Sequence, residues 1–566
     1  MDEVRLKPFD VVIFCLTILI SLGIGVFYAF RGQRQRTTNE FLMANRRMGF
    51  VPVSMSLLVT IMSAITILGV PSMIYQYGTG YCGFTLSYFI FIPVLAHFIM
   101  PVLYDLRLTS AYEFLEMRFS STIKLCGTIS YVLMMTVYMG VVLYAPALAY
   151  NVVTGVNVWA TVVTLCVVCC VYTCIGGMKA VIWTDVFQAS VMFLSQVLIL
   201  FLGVGKLGGF GNVFEIAANH SKITPLSFDP SPLATHSFWA VTVGGTFLCL
   251  NIYGTNQSAV QRFLCCKSKK EAKIMIYLNL PFLILVMFLG CSIGLVIFAQ
   301  FKCDNPLSKR VKADQLLLHY VVIVMRDFTG LAGLFTGCLF AASLSTISSC
   351  FNSLATVSLQ DFVKPRFKSM TDERATVVAK FLVCFYALLC LFVTVLVSQV
   401  DSILKAALSI LGIMGGPLLS MFLIGMCCRH VNSKGMLAGF LASMTTTFFI
   451  GYGSLAYKMT LPASPNPPVH LSNSCPDFNN TVGTSSPIDY YTGFYSLFKV
   501  SYMWYSFISC LVSFVVSSLV SVIFESDEVV DDSCLIYCMR KKLRPSDSVK
   551  FPINNSESET KENLIL

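Results

Sequence analysis

The sequence predicts an all-α protein that crosses a membrane many times. Two bulk observations carry this: 56% of the 566 residues are hydrophobic against 12% charged, and the mean hydropathy is +0.74. The third is that apolar runs of about 20 residues, the length that spans a bilayer, recur along almost the whole chain.

Thirteen spans are expected, at about 9–30, 51–76, 82–104, 124–152, 157–178, 180–205, 237–256, 274–299, 328–358, 376–399, 402–427, 435–457 and 501–524. The first has no small-residue cleavage site and runs into a basic loop, so it is read as a retained span. The second mixes Thr60, Ser63 and Thr66 with a Gly69-Val70-Pro71 interruption. The seventh carries Gly244-Gly245 and Gly254, followed by Asn256 and Gln257. Interrupted apolar segments five spans apart are the mark of an inverted-repeat carrier, whose unwound backbone lines a central site. The ninth span, 328–358, is loaded with hydroxyls. Ala342, Ser345, Thr346 and Ser349 fall at i, i+3, i+4 and i+7 and share one face. Hydroxyl oxygens and a helix carbonyl, without charge, suit a small hard cation that must be released again. Close packing of two membrane helices explains the same stretch taken alone.

Lysine and arginine set the expected orientation. With an odd number of spans and the N-terminus outside, most of the 39 basic residues fall in inner loops and the C-terminal tail, as the positive-inside rule requires. The net charge of +10 is thereby accounted for without a nucleic-acid partner. Sequons at Asn219 and Asn479 then lie outside and are candidate glycosylation sites; a sequon at Asn256 falls at a span end, where glycosylation should not reach. Most of the 22 cysteines lie within spans as small packing residues. Cys303 and Cys475 sit in outer loops, and whether they pair is left open. No phosphate-cradling glycine loop, no metal-ligand histidine spacing and no arginine ladder is present, which removes nucleotide-driven pumps, metal enzymes and voltage sensors. A passive pore or a gradient-driven carrier remains.

Asp185, about seven residues into a span, is costly in a membrane and is a functional candidate on that ground; a structural pairing with Lys179 is the plainer alternative. In the tail, Cys534 and Cys538 beside a basic patch suit acylation or contact with membrane lipids. The terminal Leu564-Ile565-Leu566 is a weak match to a PDZ-domain ligand.

The blocks YMGVVLYAPALAYNVVTG (138–155), CIGGMKAVIWTDVFQ (174–188), IYGTNQSAVQRF (252–263), SLSTISSCFNSLATVSLQDF (343–362) and GGPLLSMFLIGM (415–426) resemble the sodium/solute symporter family. Within it they are most like the anion-carrying branch of multivitamin, monocarboxylate and iodide carriers. The resemblance implies a leucine-transporter-type fold: a membrane domain over 1–525 with two inverted five-helix repeats, about 51–205 and 237–427, and a cytoplasmic tail at 526–566. It implies Na+ as the co-transported ion, held by the backbone carbonyls of Val59, Met62 and Ala342 and the hydroxyls of Ser345 and Thr346. It also places Asp185 on the sodium path, with Ser63, Thr66, Tyr144, Gln188 and Gln257 near the ion or the anion.

Thr66 stands where the iodide carrier has glutamine, which argues against iodide. Asp401 and Lys405 stand where relatives are neutral, and their i, i+4 spacing is read as an intrahelical ion pair. The expected function is Na+-coupled import of small organic monoanions at the plasma membrane. Biotin-, pantothenate- or lipoate-like vitamins are favoured over lactate- or nicotinate-like acids. A substrate-gated sensor or channel on the same fold is the remaining alternative, and an enzyme is not expected.

Overall fold

A computed structural model describes residues 7–30, 37–302, 306–309, 311, 313–398, 403–460, 493–525 and 530–539. Among them all regular structure is helical, and the only extended contact is an isolated bridge between Met48 and Cys266. Inside a bilayer a helix satisfies its own backbone, so an apolar chain of this kind has little alternative.

In chain order the helices that build the bundle are α1 (Pro8–Phe30), α2 (Phe50–Ile61), α3 (Ala64–Tyr77), α4 (Thr79–Asp105), α5 (Ser121–Thr154), α6 (Val158–Lys206) and α7 (Phe210–Asn219). There follow α8 (Ala240–Thr255), α9 (Gln257–Leu264), α10 (Lys269–Phe301), α11 (Leu331–Ser358), α12 (Asp372–Val397), α13 (Ile403–Cys427), α14 (Ser433–Thr460) and α15 (Tyr505–Ile523).

Ten helices among the described residues are long and apolar enough to cross a membrane, or eleven if the bent pair α2–α3 is one span. The difference from thirteen has two further sources. The runs 157–178 and 180–205 form one 49-residue helix, α6, bent at Gly177, whose φ of 55° and ψ of −166° leave the helical region without ending the hydrogen-bonded ladder. The run 237–256 ends at Asn256, so α8 is short.

The interruptions do not fall where the glycines and the proline point. The chain unwinds at Met62 and Ser63, and α3 runs on through Pro71. Gly69 instead permits contact: a Cβ there would lie 2.6 Å from Leu404. Gly244 likewise sits under the Met503 carbonyl, where a Cβ would be at 2.6 Å. In this protein these glycines mark close helix approach, and the polar residues Ser63 and Asn256 mark the breaks.

Helix α11 packs against α6, α1, α5, α12 and α2 and is buried along nearly its whole length. Its small side chains allow this crowding, while α12 turns Phe381, Leu388 and Phe392 outward. The start of α11 is fixed by α1. Asp10 Oδ1 accepts the backbone N–H groups of Gly330 (2.9 Å) and Gly333 (3.2 Å), two of the donors a helix start leaves unpaired.

Other expectations are placed or left aside. Asn219 is the exposed last residue of α7. Asn479, Cys303, Cys475, Asp401 and 564–566 lie outside the described residues. Lys405 bonds the Tyr77 hydroxyl at 2.8 Å. Cys534 is buried, which closes its thiol to acylation in this conformation.

Candidate functional site

The site begins with the break between α2 and α3, whose axes differ by 61°. Met62 (φ −82°, ψ 82°) and Ser63 (φ −77°, ψ 170°) are non-helical. In a continuous helix the Ser63 N–H would bond the Val59 carbonyl and the Thr66 N–H the Met62 carbonyl. Here Ser63 bonds Ile61 at 3.1 Å and Thr66 bonds Ser63 at 3.0 Å. The two carbonyls that the family resemblance names as sodium ligands are therefore among those that lose their helical donors at the break. Unwound carbonyls of this kind are what carrier folds use to hold a hard cation.

Helix α11 faces this break. The Thr346 hydroxyl donates to the Thr60 carbonyl at 3.0 Å and to its own Ala342 carbonyl at 3.1 Å, so Thr346 and Ala342 stand against the end of α2. Ser345, one residue back, turns toward α6: its hydroxyl donates to Asp185 Oδ1 at 2.5 Å. The structure thus separates two hydroxyls that the sequence pattern treats as equivalent.

Asp185 does not pair with Lys179, which is exposed. Its partner is Arg262 of α9, whose Nη2 lies 3.0 Å from Asp185 Oδ2, both side chains being wholly buried. Ser56 of α2 donates to the same oxygen at 2.5 Å and accepts from Arg262 Nε at 2.8 Å. Arg262 also donates to the Ser258 carbonyl (2.6 Å) and to Ser349 Oγ (2.5 Å), which in turn meets Thr60 Oγ1 at 3.1 Å. This network joins α2, α6, α9 and α11. A buried ion pair repays its desolvation only with such additional hydrogen bonds, and here both charges have them.

Beside the break lies a cavity of about 120 Å³. Met62, Ser63, Thr66, Asn256, Ser258 and Thr346 give it one polar side. Tyr81, Phe84, Tyr88, Tyr138 and Tyr253 form much of the rest, and among the described residues no Lys, Arg, Asp or Glu lines it. An apolar chamber with a few convergent polar groups is the usual form of a small-molecule site. Asn256 also caps α9, its Oδ1 accepting the Ser258 N–H at 3.0 Å.

The remaining sequence candidates divide. Ser63 and Thr66 reach the cavity. Gln188, fully buried one turn beyond Asp185, has neither amide atom hydrogen-bonded. Tyr144 is half-buried, its ring 6.5 Å from that of Trp159, and is not among the cavity residues. Gln257 points to the neighbouring loop instead, accepting from the Ala111 N–H and donating to the Thr109 carbonyl, each at 2.8 Å. Sequence reasoning missed Arg262, Ser56, Thr60 and Ser258 as site residues. Arg262 stands just past the seventh span, where a basic residue reads as part of the inner-loop charge. Its one signal was Ser258 at i−4, the helical spacing that brings that carbonyl to the guanidinium.

A multi-span helical bundle with a broken helix, an uncharged oxygen cluster at the break and an adjoining chamber defines the class of ion-coupled carriers. The model of the sodium:solute symporter family matches residues 41–443, and the chain belongs to that family. Na+ is accordingly its co-transported ion. It is 43% identical over 523 residues to the sodium-dependent multivitamin transporter of Oryctolagus cuniculus, covering 91% of this chain and 82% of the relative. It is 40% identical to sodium-coupled monocarboxylate transporter 2 of Mus musculus (90% and 83% covered) and 37% identical to sodium-coupled monocarboxylate transporter 1 of Homo sapiens (90% and 86%). Among solved structures, a Na+-coupled sialic acid symporter in a substrate-bound outward-open state matches with a TM-score of 0.77, covering 92% of this chain and 98% of that one. At 22% identity that likeness establishes the shared fold. The chain is a transporter, as its named relatives are, and not an enzyme.

Proposed function

We propose that this protein imports small organic monoanions with Na+ across the plasma membrane by alternating access, with the Val59, Met62 and Ala342 carbonyls and the Thr346 hydroxyl as sodium ligands at the break and Ser345, whose hydroxyl bonds Asp185 in this conformation, as the fifth. The observation that carries the anion assignment is the cavity beside the break, which has polar groups and, among the described residues, no charged side chain. A carboxylate placed there is balanced by the N-terminal end of α3, worth about half a charge, and by bound sodium. One negative charge can be met this way. A second would be buried uncompensated at heavy cost. The aromatic walls favour a cargo with an apolar body, which puts biotin-, pantothenate- and lipoate-like acids ahead of lactate. Thr66, in a run SAITILGVP (63–71) that resembles the monocarboxylate type, lines the cavity and supports the second reading, a lactate- or nicotinate-type monocarboxylate carrier.

In this reading α6 counts as two spans about Gly177, and α8 with α9 forms the seventh, completing thirteen. Residues 51–205 and 237–427 are then the two inverted repeats, with the N-terminus outside, 526–566 inside, and Asn219 and Asn479 open to glycosylation. Lipid surrounds the bundle, and a PDZ protein at the C-terminus is a minor expectation.

The test is uptake in cells expressing the chain, with biotin, pantothenate, lipoate, lactate, nicotinate, iodide and glucose offered with and without sodium. Concentrative, electrogenic, sodium-dependent uptake of monocarboxylates is expected, with succinate and citrate rejected. Inward current with succinate and none with any monocarboxylate would overturn the assignment. Uptake that only equilibrates would make the protein a channel.

A further inference from the structure

Away from the cavity, three thiols converge at the wall of the bundle. Cys170 and Cys174 are one turn apart on α6 and share a face, and Cys384 comes from α12. The Cys384 sulfur lies 3.7 Å from that of Cys170 and 3.8 Å from that of Cys174, and all three sulfurs are within 4.8 Å of one another. The register is fixed on both sides of the cluster. Cys166 donates to the Ala387 carbonyl at 3.3 Å and Cys174 to the Lys380 carbonyl at 3.7 Å, so the two helices run antiparallel with matched turns.

Packing accounts for part of this. A thiol against the partner helix's carbonyl, as at Cys166, is what a small residue at a close helix contact does. Packing does not ask for a sulfur at Cys384, which is exposed at the edge of the contact, nor for three sulfurs about one point. The spacing is that of a metal's donor set. Two thiolates about 2.3 Å from a tetrahedral ion stand about 3.8 Å apart, and about 4.0 Å apart around a trigonal one. Sulfur-only donors select soft ions, Cu(I) above the hard cations that oxygen sites prefer. A structural zinc would require a fourth ligand, and among the described residues no other His, Cys, Asp or Glu joins the group. Three-coordinate Cu(I) requires none.

We propose that Cys170, Cys174 and Cys384 form a binding site for one monovalent copper ion, clipping α6 to α12. Each thiol that becomes a ligand releases its proton to solvent and binds through the thiolate. No oxidation state changes, and binding tightens as pH rises. The site shares no residue with the sodium site or the cavity, so it stands whether or not the cargo assignment does.

The test uses the purified full-length chain in detergent under a reductant. It is titrated with Cu(I) against a chromophoric Cu(I) chelator, alongside C170S/C174S/C384S, a control C166S/C390S and the single variant Cys384→Ser. The wild type and the control are expected to retain one Cu(I) per chain more than the triple variant does. X-ray absorption of the retained copper should show a sulfur-only shell, and retention should fall with pH. Cys384→Ser removes an exposed ligand and leaves the buried packing intact, so it separates ligand loss from misfolding; its affinity should fall by at least about tenfold. Equal copper in the wild type and the triple variant would overturn the proposal. So would wild-type affinity in Cys384→Ser.

Discussion

The hydroxyl face of α11 meets two different environments within about two turns of helix. On the side of Thr346 it faces a helix break, with neutral oxygens and no ion pair. On the side of Ser345 and Ser349, which flank Thr346 in sequence, it meets Asp185 and Arg262, a full charge pair with hydrogen-bonded neighbours. The first arrangement has acceptor oxygens whose helical donors have been diverted, and it gains from a small cation that can leave again. The second has supplied its own cation in Arg262, covalently attached and hydrogen-bonded on several sides. One stretch of helix thus borders both a neutral oxygen cluster, the exchanging end in the proposed function, and a fixed ion pair, the permanent end. The difference is made by what α2, α6 and α9 bring to it, and not by α11 itself.

The largest effect should come from breaking the permanent end. Arg262→Met leaves Asp185 charged, buried and without its cation, a loss of about 3–5 kcal/mol for a buried pair. Surface expression and thermal stability in detergent should both collapse. Asp185→Asn with Arg262→Met removes both charges and should recover much of the stability. Adding Lys179→Met to Asp185→Asn should recover none, because Lys179 is not the partner. If Arg262→Met is as stable as the wild type, the pair does not hold the four helices together.

A smaller and more selective effect is expected at the exchanging end. Thr346→Ala removes one oxygen beside the break and should raise the sodium concentration for half-maximal uptake about tenfold, or about 1.4 kcal/mol, with surface expression unchanged. Thr346→Ser keeps the hydroxyl and should recover most of the affinity. Ser345→Ala should lower both sodium affinity and expression, since it also deprives Asp185 of a donor. Ser349→Ala should lower stability through Arg262 and Thr60 and move sodium affinity least. Sodium curves that superimpose for the wild type, Thr346→Ala and Ser345→Ala would remove this site.

The hydroxyl face of α11 was legible in the sequence, because helical periodicity is local. Ala342, Ser345, Thr346 and Ser349 had to share a face wherever the helix packed. The carbonyls of Val59 and Met62 came only through family resemblance, since a backbone ligand leaves no side-chain mark. The position of the break was misread for a physical reason: Gly69 and Pro71 resemble helix breakers, yet inside a packed membrane bundle neighbouring helices hold the chain and Gly69 serves contact with Leu404. Arg262 was the least legible. Positive-inside counting assigns a basic residue beside a span to the inner surface, and only the chain's continuation past Asn256 as the buried helix α9 carries it to Asp185. The length of a hydrophobic run also left unmarked the bend at Gly177, through which α6 continues, and the cap at Asn256, where a new helix begins.

Lys222 extends the comparison to a buried cation with no acid. It lies in the loop after α7, only 2% exposed, with Nζ donating to the Gln76 carbonyl at 3.2 Å and lying over the Phe298 ring at 4.9 Å. No carboxylate pairs with it among the described residues. The loop is pinned to the start of α4 by further bonds: the Thr79 N–H donates to the Lys222 carbonyl at 2.9 Å, and the Gly80 N–H to Thr224 Oγ1 at 3.1 Å. Burial lowers the Lys222 ammonium from 10.5 to about 8. The docked loop therefore binds fewer protons than the undocked loop between those values, and docking must strengthen as pH rises from about 8 toward 10.5. Below about 8 the amine is charged in both states, and the full cost of burying the charge is carried. The measurement is the labelling rate of a cysteine introduced at Thr224 in a cysteine-reduced background, read against an exposed reference cysteine so that thiolate reactivity cancels. The ratio should fall across that pH window in the parent and stay flat in Lys222→Met, which keeps the packing on Phe298 and loses the charge. A ratio that falls equally in both would detach the pH dependence from Lys222. A ratio that rises would mean that the charged amine favours docking, reversing the sign and placing an unrecognised anion beside it.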